Sequence, residues 1–382
     1  DNISNAMVNM AQRFVGSNNC PLLVAAGQFG TRHSGGNDAA SARYIFTEME
    51  KYVKYIFPEA DLPVLDYMCV DGQKVEPVEF VPIIPWILVN GACGLGTGWV
   101  SDIPQHNPFD IIESVKNMLR GCAPKEQVIY TRDHIGKYVR GVDGKLYSEG
   151  VWTVEGDTLD IAELPVGTWT ERVEHILKRG TTVVYKKLLE AHTDTTVHFT
   201  LHGVQNMNTA LKALKLRKLV RENYVMFLDG VIATLSYEHI VSKHFYKRYA
   251  LYERRKEYQL QQMRIKVTTF TQKMAFIQAC IAGKIPLTTA SNQVLLDTCQ
   301  QLNVNPTYLD SSLRDLTVES VKRLQNSIQD ISLNMTSLEK TSVEERYGCR
   351  RYRRSRNNCG NTLFLKNDQG KDPLMIVLTT YK

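Results

Sequence analysis

The sequence predicts an α+β protein of several domains, in which compact mixed segments lead into a long antiparallel pair of helices. Three observations predict it. Between Val231 and Ala282 there is neither glycine nor proline, and Leu260, Met263, Val267, Phe270, Met274, Ile277 and Ile281 recur at alternating spacings of 3 and 4, which is a heptad seam. A second seam, Val321, Leu324, Ile328, Ile331, Met335 and Leu338, follows a connecting stretch containing Gly283, Pro286 and Pro306. Upstream, GVWTVEGDTLDIAEL alternates polar and apolar residues around Glu155, Gly156 and Asp157, as a hairpin does.

From Asp1 to about residue 100 the pattern is a short helix, a loop of small residues, a helix from Ser41 to about Phe57, and an apolar segment, FVPIIPWILVN, that ends in the glycine-rich turn GACGLGTGW. Residues 101–235 read as mixed α and β, with Thr168 or Thr170 capping a helix that runs to about Arg179. No titratable constellation stands out there. Residues 236–345 hold the two arms and a tip at about 283–315. With a start near Ser236 the first arm is about 70 Å long at ~1.5 Å per residue. Such a pair suits a gate whose arms meet tip to tip, and it equally describes a dimerisation stalk.

The composition, 43% hydrophobic and 23% charged over 382 residues, is that of a globular protein with a core of its own. No apolar run approaches eighteen residues, and the first residues lack the regions of a signal peptide. The chain begins with Asp1 in what reads as the middle of a helix, so it is expected to be part of a longer polypeptide. The net charge of +6 is uneven: residues 346–382 carry nine Lys or Arg against two Asp, a net of +7, which leaves the remainder near −1. Nucleic-acid binding would therefore need a local arrangement of cations. The tail RYGCRRYRRSRNNCG reads either as a basic nucleic-acid or nuclear-import patch or as a solvated, disordered tail. The eight cysteines are widely spaced with no CxxC, which argues for free thiols in a reducing compartment rather than a zinc module. His198 and His202 share a strand-like stretch and read as surface residues rather than metal ligands.

The loop GQFGTRHSGGNDAASARYIFT, Gly27 to Thr47, places Arg43 and Tyr44 directly after small residues. A tyrosine can attack a phosphodiester in line and leave a reversible phosphotyrosine ester. A phenol is largely protonated at neutral pH, so a neighbouring cation and a divalent metal are needed to stabilise charge on the phosphoryl oxygens. Taken alone, any one of the 18 tyrosines is more often a packing residue.

Order and spelling go further. AQRFVGSNN, then GQFGTR, GG, D and ASARYIFT, then LVNGACGLGTGW, and later ELPVGTWT and HTDTTVHF resemble the breakage-reunion region of the eukaryotic-type (type IIA) DNA topoisomerases II, over roughly residues 1–345. The resemblance implies a winged-helix-like DNA-cleavage domain in 1–100, a mixed α/β tower domain in 101–235 and a coiled-coil gate in 236–345. It implies Tyr44 as nucleophile and Arg43 as its partner in the transition state, with Gln28, Thr31, Arg32, Gly35, Gly36, Asn37 and Leu95 contacting double-stranded DNA. Leu95 would be an apolar wedge that kinks the duplex; by its own pattern it reads equally as a core leucine. The implied activity is an ATP-dependent isomerase that cuts one duplex, passes a second and reseals the first, as a homodimer. ATP and Mg2+ would be bound mainly N-terminal to this region, with no metal ligand here, and the implied address is the nucleus, with mitochondrion, kinetoplast or viral factory as alternatives. A DNA-bending clamp without catalysis is the alternative, and a gyrase-A-like protein is disfavoured by the spelling of ARYIFT and ELPVGTWT. Two departures stand out: Asn37 where the family usually has lysine, and Ala42 where it usually has proline. Loss of that lysine is expected to weaken DNA binding.

Overall fold

The computed structural model describes residues 2–180, 182–285, 291–301, 304–310 and 316–342. The basic tail and parts of the expected tip lie outside the described residues. In chain order the elements are α1 (Asn2–Ala11), a single 3-10 turn at Ala42–Tyr44, α2 (Val53–Ile56), a 3-10 turn at Glu59–Val64, β1 (Tyr67–Val70), β2 (Gln73–Pro77), α3 (Trp86–Asn90), β3 (Ala92–Gly96) and β4 (Trp99–Ile103). There follow α4 (Pro108–Leu119), β5 (Lys137–Arg140), β6 (Leu146–Glu149), β7 (Val151–Glu155), β8 (Thr158–Glu163), α5 (Thr170–Arg179), β9 (Lys187–Glu190), β10 (Phe199–His202), α6 (Met207–Leu214), β11 (Arg217–Val220), β12 (Val225–Leu228) and β13 (Val231–Thr234). α7 (Tyr237–Ile281), α8 (Asn292–Gln301), a 3-10 turn at Pro306–Asp310 and α9 (Val318–Lys340) complete the described chain. These residues form two compact units, 2–58 with 81–247, and 59–80 with 248–342. This division differs from the three parts suggested by the sequence, and residue 100 lies inside β4.

The first unit is built on an antiparallel sheet of order β7-β8-β10-β9. The predicted hairpin is β7–β8, turning at Gly156 with φ +62°. On β8 and β10, Leu159 pairs with Leu201 and Ile161 with Phe199, all four fully buried. Val173 and Leu177 of α5 and Ala210 and Leu214 of α6 close over them. Each fully buried side chain of Leu or Ile size stabilises by about 1.5–3 kcal/mol, so this core fixes the end of β8, where Glu163 stands. His198, just before β10, and His202, at its end, pair with Asp160 (3.1 Å) and Thr158 (3.2 Å) of β8.

Two local expectations are corrected. Helix α5 spans the expected residues, but its N-cap is Trp169 and no side chain caps it; the amide of Glu171 instead donates to the carbonyl of His33 at 3.0 Å. Of the helix expected from Ser41 to Phe57 only the turn at Ala42–Tyr44 and the four residues of α2, Val53–Ile56, are helical. Beyond the turn at Ala42–Tyr44 the chain is extended and pairs antiparallel with residues 22–26, Ala26 with Phe46 and Leu23 with Met49. Ile45, Phe46 and Thr47 are β-branched or aromatic and favour this ribbon over a helix.

The second unit contains the long arm of α7. Asp61 holds Arg248 at 2.6 Å and Arg255 at 3.0 Å, with Arg248 wholly buried. α9 runs antiparallel to α7: Lys256 donates to the carbonyls of Glu339 and Thr341 near the end of α9, whereas Phe276 and Ile277 cluster with Val321 and Leu324 at its start. Leu260 to Met274 and Val321 to Leu338 are half-buried among mostly exposed neighbours. Ile277 is buried, while Ile281, on the last turn before Gly283, is 48% exposed and leaves the seam.

Candidate functional site

Tyr44 closes the short turn that precedes the extended ribbon, its amide donating to the carbonyl of Ser41 at 2.9 Å. Its ring is 67% exposed, and the Arg43 guanidinium lies 4.8 Å from the ring centroid. Among the described residues the Tyr44 hydroxyl has no hydrogen-bond partner, so the oxygen is accessible while stacking holds the cation beside it. Glycine at 27 lets the ribbon close here, because a Cβ would stand 2.9 Å from the Ile45 side chain.

The loop before Tyr44 is held from inside. Asp38 accepts from the Thr31 amide (2.8 Å), the Thr31 hydroxyl (2.6 Å) and the Ser34 hydroxyl (2.6 Å), with the Gln28 amide group at 3.4 Å. Desolvation works to raise the Asp38 carboxyl, but these hydrogen bonds outweigh it and hold the group below its ordinary range. Gln12 donates to the carbonyl of Phe29 at 3.0 Å. Gly35 lies against Trp169, where a Cβ would come within 2.2 Å of the indole ring.

The proposed contact residues separate accordingly. Gln28 and Asn37 are exposed, Asn37 donating to the carbonyl of Ser34 at 3.0 Å. Thr31 is engaged with Asp38, and Gly35 and Gly36 are packing positions. Arg32 differs most from its expected role: it is 3% exposed and ion-paired with Glu163, itself buried at the end of β8. Its cation faces the protein, so it serves to anchor the loop and is not available to a phosphate. His134 stands beside this pair, and burial pushes its imidazole below the ordinary range.

Leu95 is 85% exposed on the β3–β4 hairpin, opposite Val100; this excludes the core-leucine reading. Two further groupings had no sequence signal, because their members are far apart in the chain: the buried Arg32–Glu163–His134 set, and His33, Glu174 and His192, whose ligand atoms converge within 4.8 Å. The second bears on the expectation of no metal ligand. The one carboxylate between Gly27 and Thr47, Asp38, is engaged by Thr31, Ser34 and Gln28, so the loop that carries Tyr44 offers no free carboxylate to suit Mg2+.

Residues 1–351 match the family of DNA gyrase/topoisomerase IV A subunits, and the chain belongs to that family. It is 34% identical over 318 residues to DNA topoisomerase 2 of Penicillium chrysogenum, covering 80% of this chain and 20% of that protein. It is 45% identical over 203 residues to DNA topoisomerase 2 of Drosophila melanogaster, covering 51% and 14%. The chain thus spans about a fifth or less of these relatives. The fold is similar to the DNA-binding, cleavage and re-ligation domain of Plasmodium falciparum topoisomerase II, with a TM-score of 0.78 and 27% identity over 90% of this chain and 53% of that one.

Proposed function

We propose that this region cleaves and religates double-stranded DNA as the breakage-reunion core of a type IIA topoisomerase, with Tyr44 as nucleophile. The observation that carries this reading is the exposed Tyr44 hydroxyl beside the Arg43 cation, on a loop pinned from below, in a chain of this family. The Tyr44 oxygen attacks phosphorus and the phosphodiester bond to the 3′-oxygen breaks. The phenolic proton leaves with a base or water, the 3′-oxygen takes up a proton, and a 5′-phosphotyrosine remains. Attack by the 3′-hydroxyl reverses the step. Arg43 pairs with the phosphoryl charge that grows along this path, while Gln28 and Asn37 meet the backbone and Leu95 enters a base step.

The homodimer, the winged-helix-like and tower assignments and the coiled-coil gate of α7 and α9 belong to the same proposal. So do passage of a second duplex, ATP and Mg2+ bound mainly N-terminal to this region, and nuclear localisation with a mitochondrial alternative; the alternating half-buried seams support the gate. No described helix is long and apolar enough to cross a membrane.

The test uses this region joined to the ATP- and metal-binding regions that the resemblance places upstream. Tyr44→Phe is expected to abolish detergent-trapped protein–DNA adducts while duplex binding stays within about threefold, since only the nucleophilic oxygen is removed. Adducts that persist in Tyr44→Phe overturn the assignment. No adducts in the unsubstituted protein, with intact binding, support the non-catalytic clamp instead.

A further inference from the structure

We propose that His33, Glu174 and His192 form a site for a Zn2+-class transition metal ion that clasps the nucleophile-bearing loop to the rest of the first unit. His33 belongs to the GTRHSGG loop, Glu174 to α5, and His192 to the segment between β9 and β10. The Glu174 Oε1 lies 2.9 Å from His33 Nε2 and 3.1 Å from His192 Nε2, and all the ligand atoms fall within 4.8 Å of one another. A tetrahedral ion with bonds of about 2.0–2.2 Å sets its donor atoms roughly 3.3 Å apart. The two carboxylate–imidazole separations need to widen by only a few tenths of an ångström, while the two imidazole nitrogens, at most 4.8 Å apart, draw together by up to about 1.5 Å to admit an ion, with a coordination position left for water.

The surroundings suit a ligand set. Lys178 Nζ holds Glu174 Oε2 at 2.7 Å, which turns Oε1 toward both imidazoles, as an outer partner orients a metal-binding carboxylate. The His192 ring packs against Phe199, itself fully buried in the sheet core, with centroids 5.1 Å apart. The His33 carbonyl is tied to the Glu171 amide one turn earlier on α5. Two of the three donors are thus attached to the rigid core, and the third comes from the loop.

Two imidazoles and one carboxylate favour Zn2+ over Mg2+, which prefers an octahedron of oxygen atoms. This site is therefore separate from the magnesium of the proposed cleavage reaction. An ion here would link residue 33 to the sheet, complementing the Arg32–Glu163 pair one residue away. The loop would then carry two anchors, one fixed and one responsive to metal supply.

The experiment titrates the full chain, with its exposed thiols alkylated to remove competing sulfur ligands, with Zn2+ against a chromophoric chelator. One equivalent is expected to bind, and excess Mg2+ should not displace it. His192→Ala and Glu174→Gln should each weaken the affinity by at least about tenfold with circular dichroism unchanged. Absence of stoichiometric binding, or equal affinity in both variants, overturns the proposal. Should the variants fail to fold, zinc-edge anomalous scattering from the unsubstituted protein decides it: a peak among the three side chains supports the site, and a peak elsewhere or none refutes it.

Discussion

The loop from Gly27 to Ser41 and the seam between α7 and α9 both carry exposed elements, yet they are held by different chemistry. The loop is fixed by polar and steric contacts of long sequence separation: Arg32 to Glu163, Gly35 to Trp169, His33 to α5. From Leu260 onward the helices meet chiefly through a periodic apolar stripe that stays half-exposed over most of its length and is buried only around Phe276 and Ile277, whereas nearer its start α7 is also held by Asp61 through Arg248 and Arg255. Few strong contacts make the loop sensitive to single substitutions, whereas many weak ones make the seam tolerant except at its buried end.

The largest expected effect is at the loop's anchor. Arg32→Ala leaves Glu163 buried without its cation and should lower stability by about 3–5 kcal/mol, read as a shift of the urea midpoint at constant slope. A loss under about 1 kcal/mol would mean that the pair does not hold the loop. At the seam, Ile277→Asp, which puts a carboxylate at a position 1% exposed, should cost roughly 3 kcal/mol or more. Val267→Asp, at a half-buried position, should cost about 1 kcal/mol. Equal costs at 267 and 277 would contradict the uneven burial. Gly35→Ala should cost about 1–3 kcal/mol, since it forces both a Trp169 clash and a left-handed backbone at φ +68°.

Smaller effects belong to the exposed positions. Asn37→Lys adds a cation to the loop surface, and the logarithmic slope of DNA affinity against salt should steepen by about one; an unchanged slope removes residue 37 from the interface. Leu95→Ala should leave stability within about 0.5 kcal/mol while reducing the bend in a short duplex measured by energy transfer between its ends. An unaltered bend excludes the wedge.

The same contrast explains what could be read in the sequence. The arms were legible because a heptad repeat is a local signal, and their expected start near Ser236 falls beside the observed Tyr237. The β7–β8 hairpin was legible from its alternation and turn residues. The extended ribbon after Tyr44 was not, because Ile45, Phe46 and Thr47 pair with a segment some twenty residues earlier. Arg32 resembled a phosphate ligand because nothing near it in sequence announces Glu163, and the His33–Glu174–His192 grouping stayed hidden for the same reason. The identity of Tyr44 and Arg43 was suggested by spelling, and what the fold adds is their exposure and stacking.

The proposed chemistry depends on Tyr44 being the residue that joins DNA. A duplex with a pre-cut strand, which traps the covalent intermediate, followed by protease and nuclease digestion and mass spectrometry of the nucleotide-linked peptide, tests this directly. The expected product is a peptide spanning Tyr44 with a phosphotyrosine-linked nucleotide on that residue. A nucleotide attached to any other tyrosine, or to another kind of residue, would contradict it.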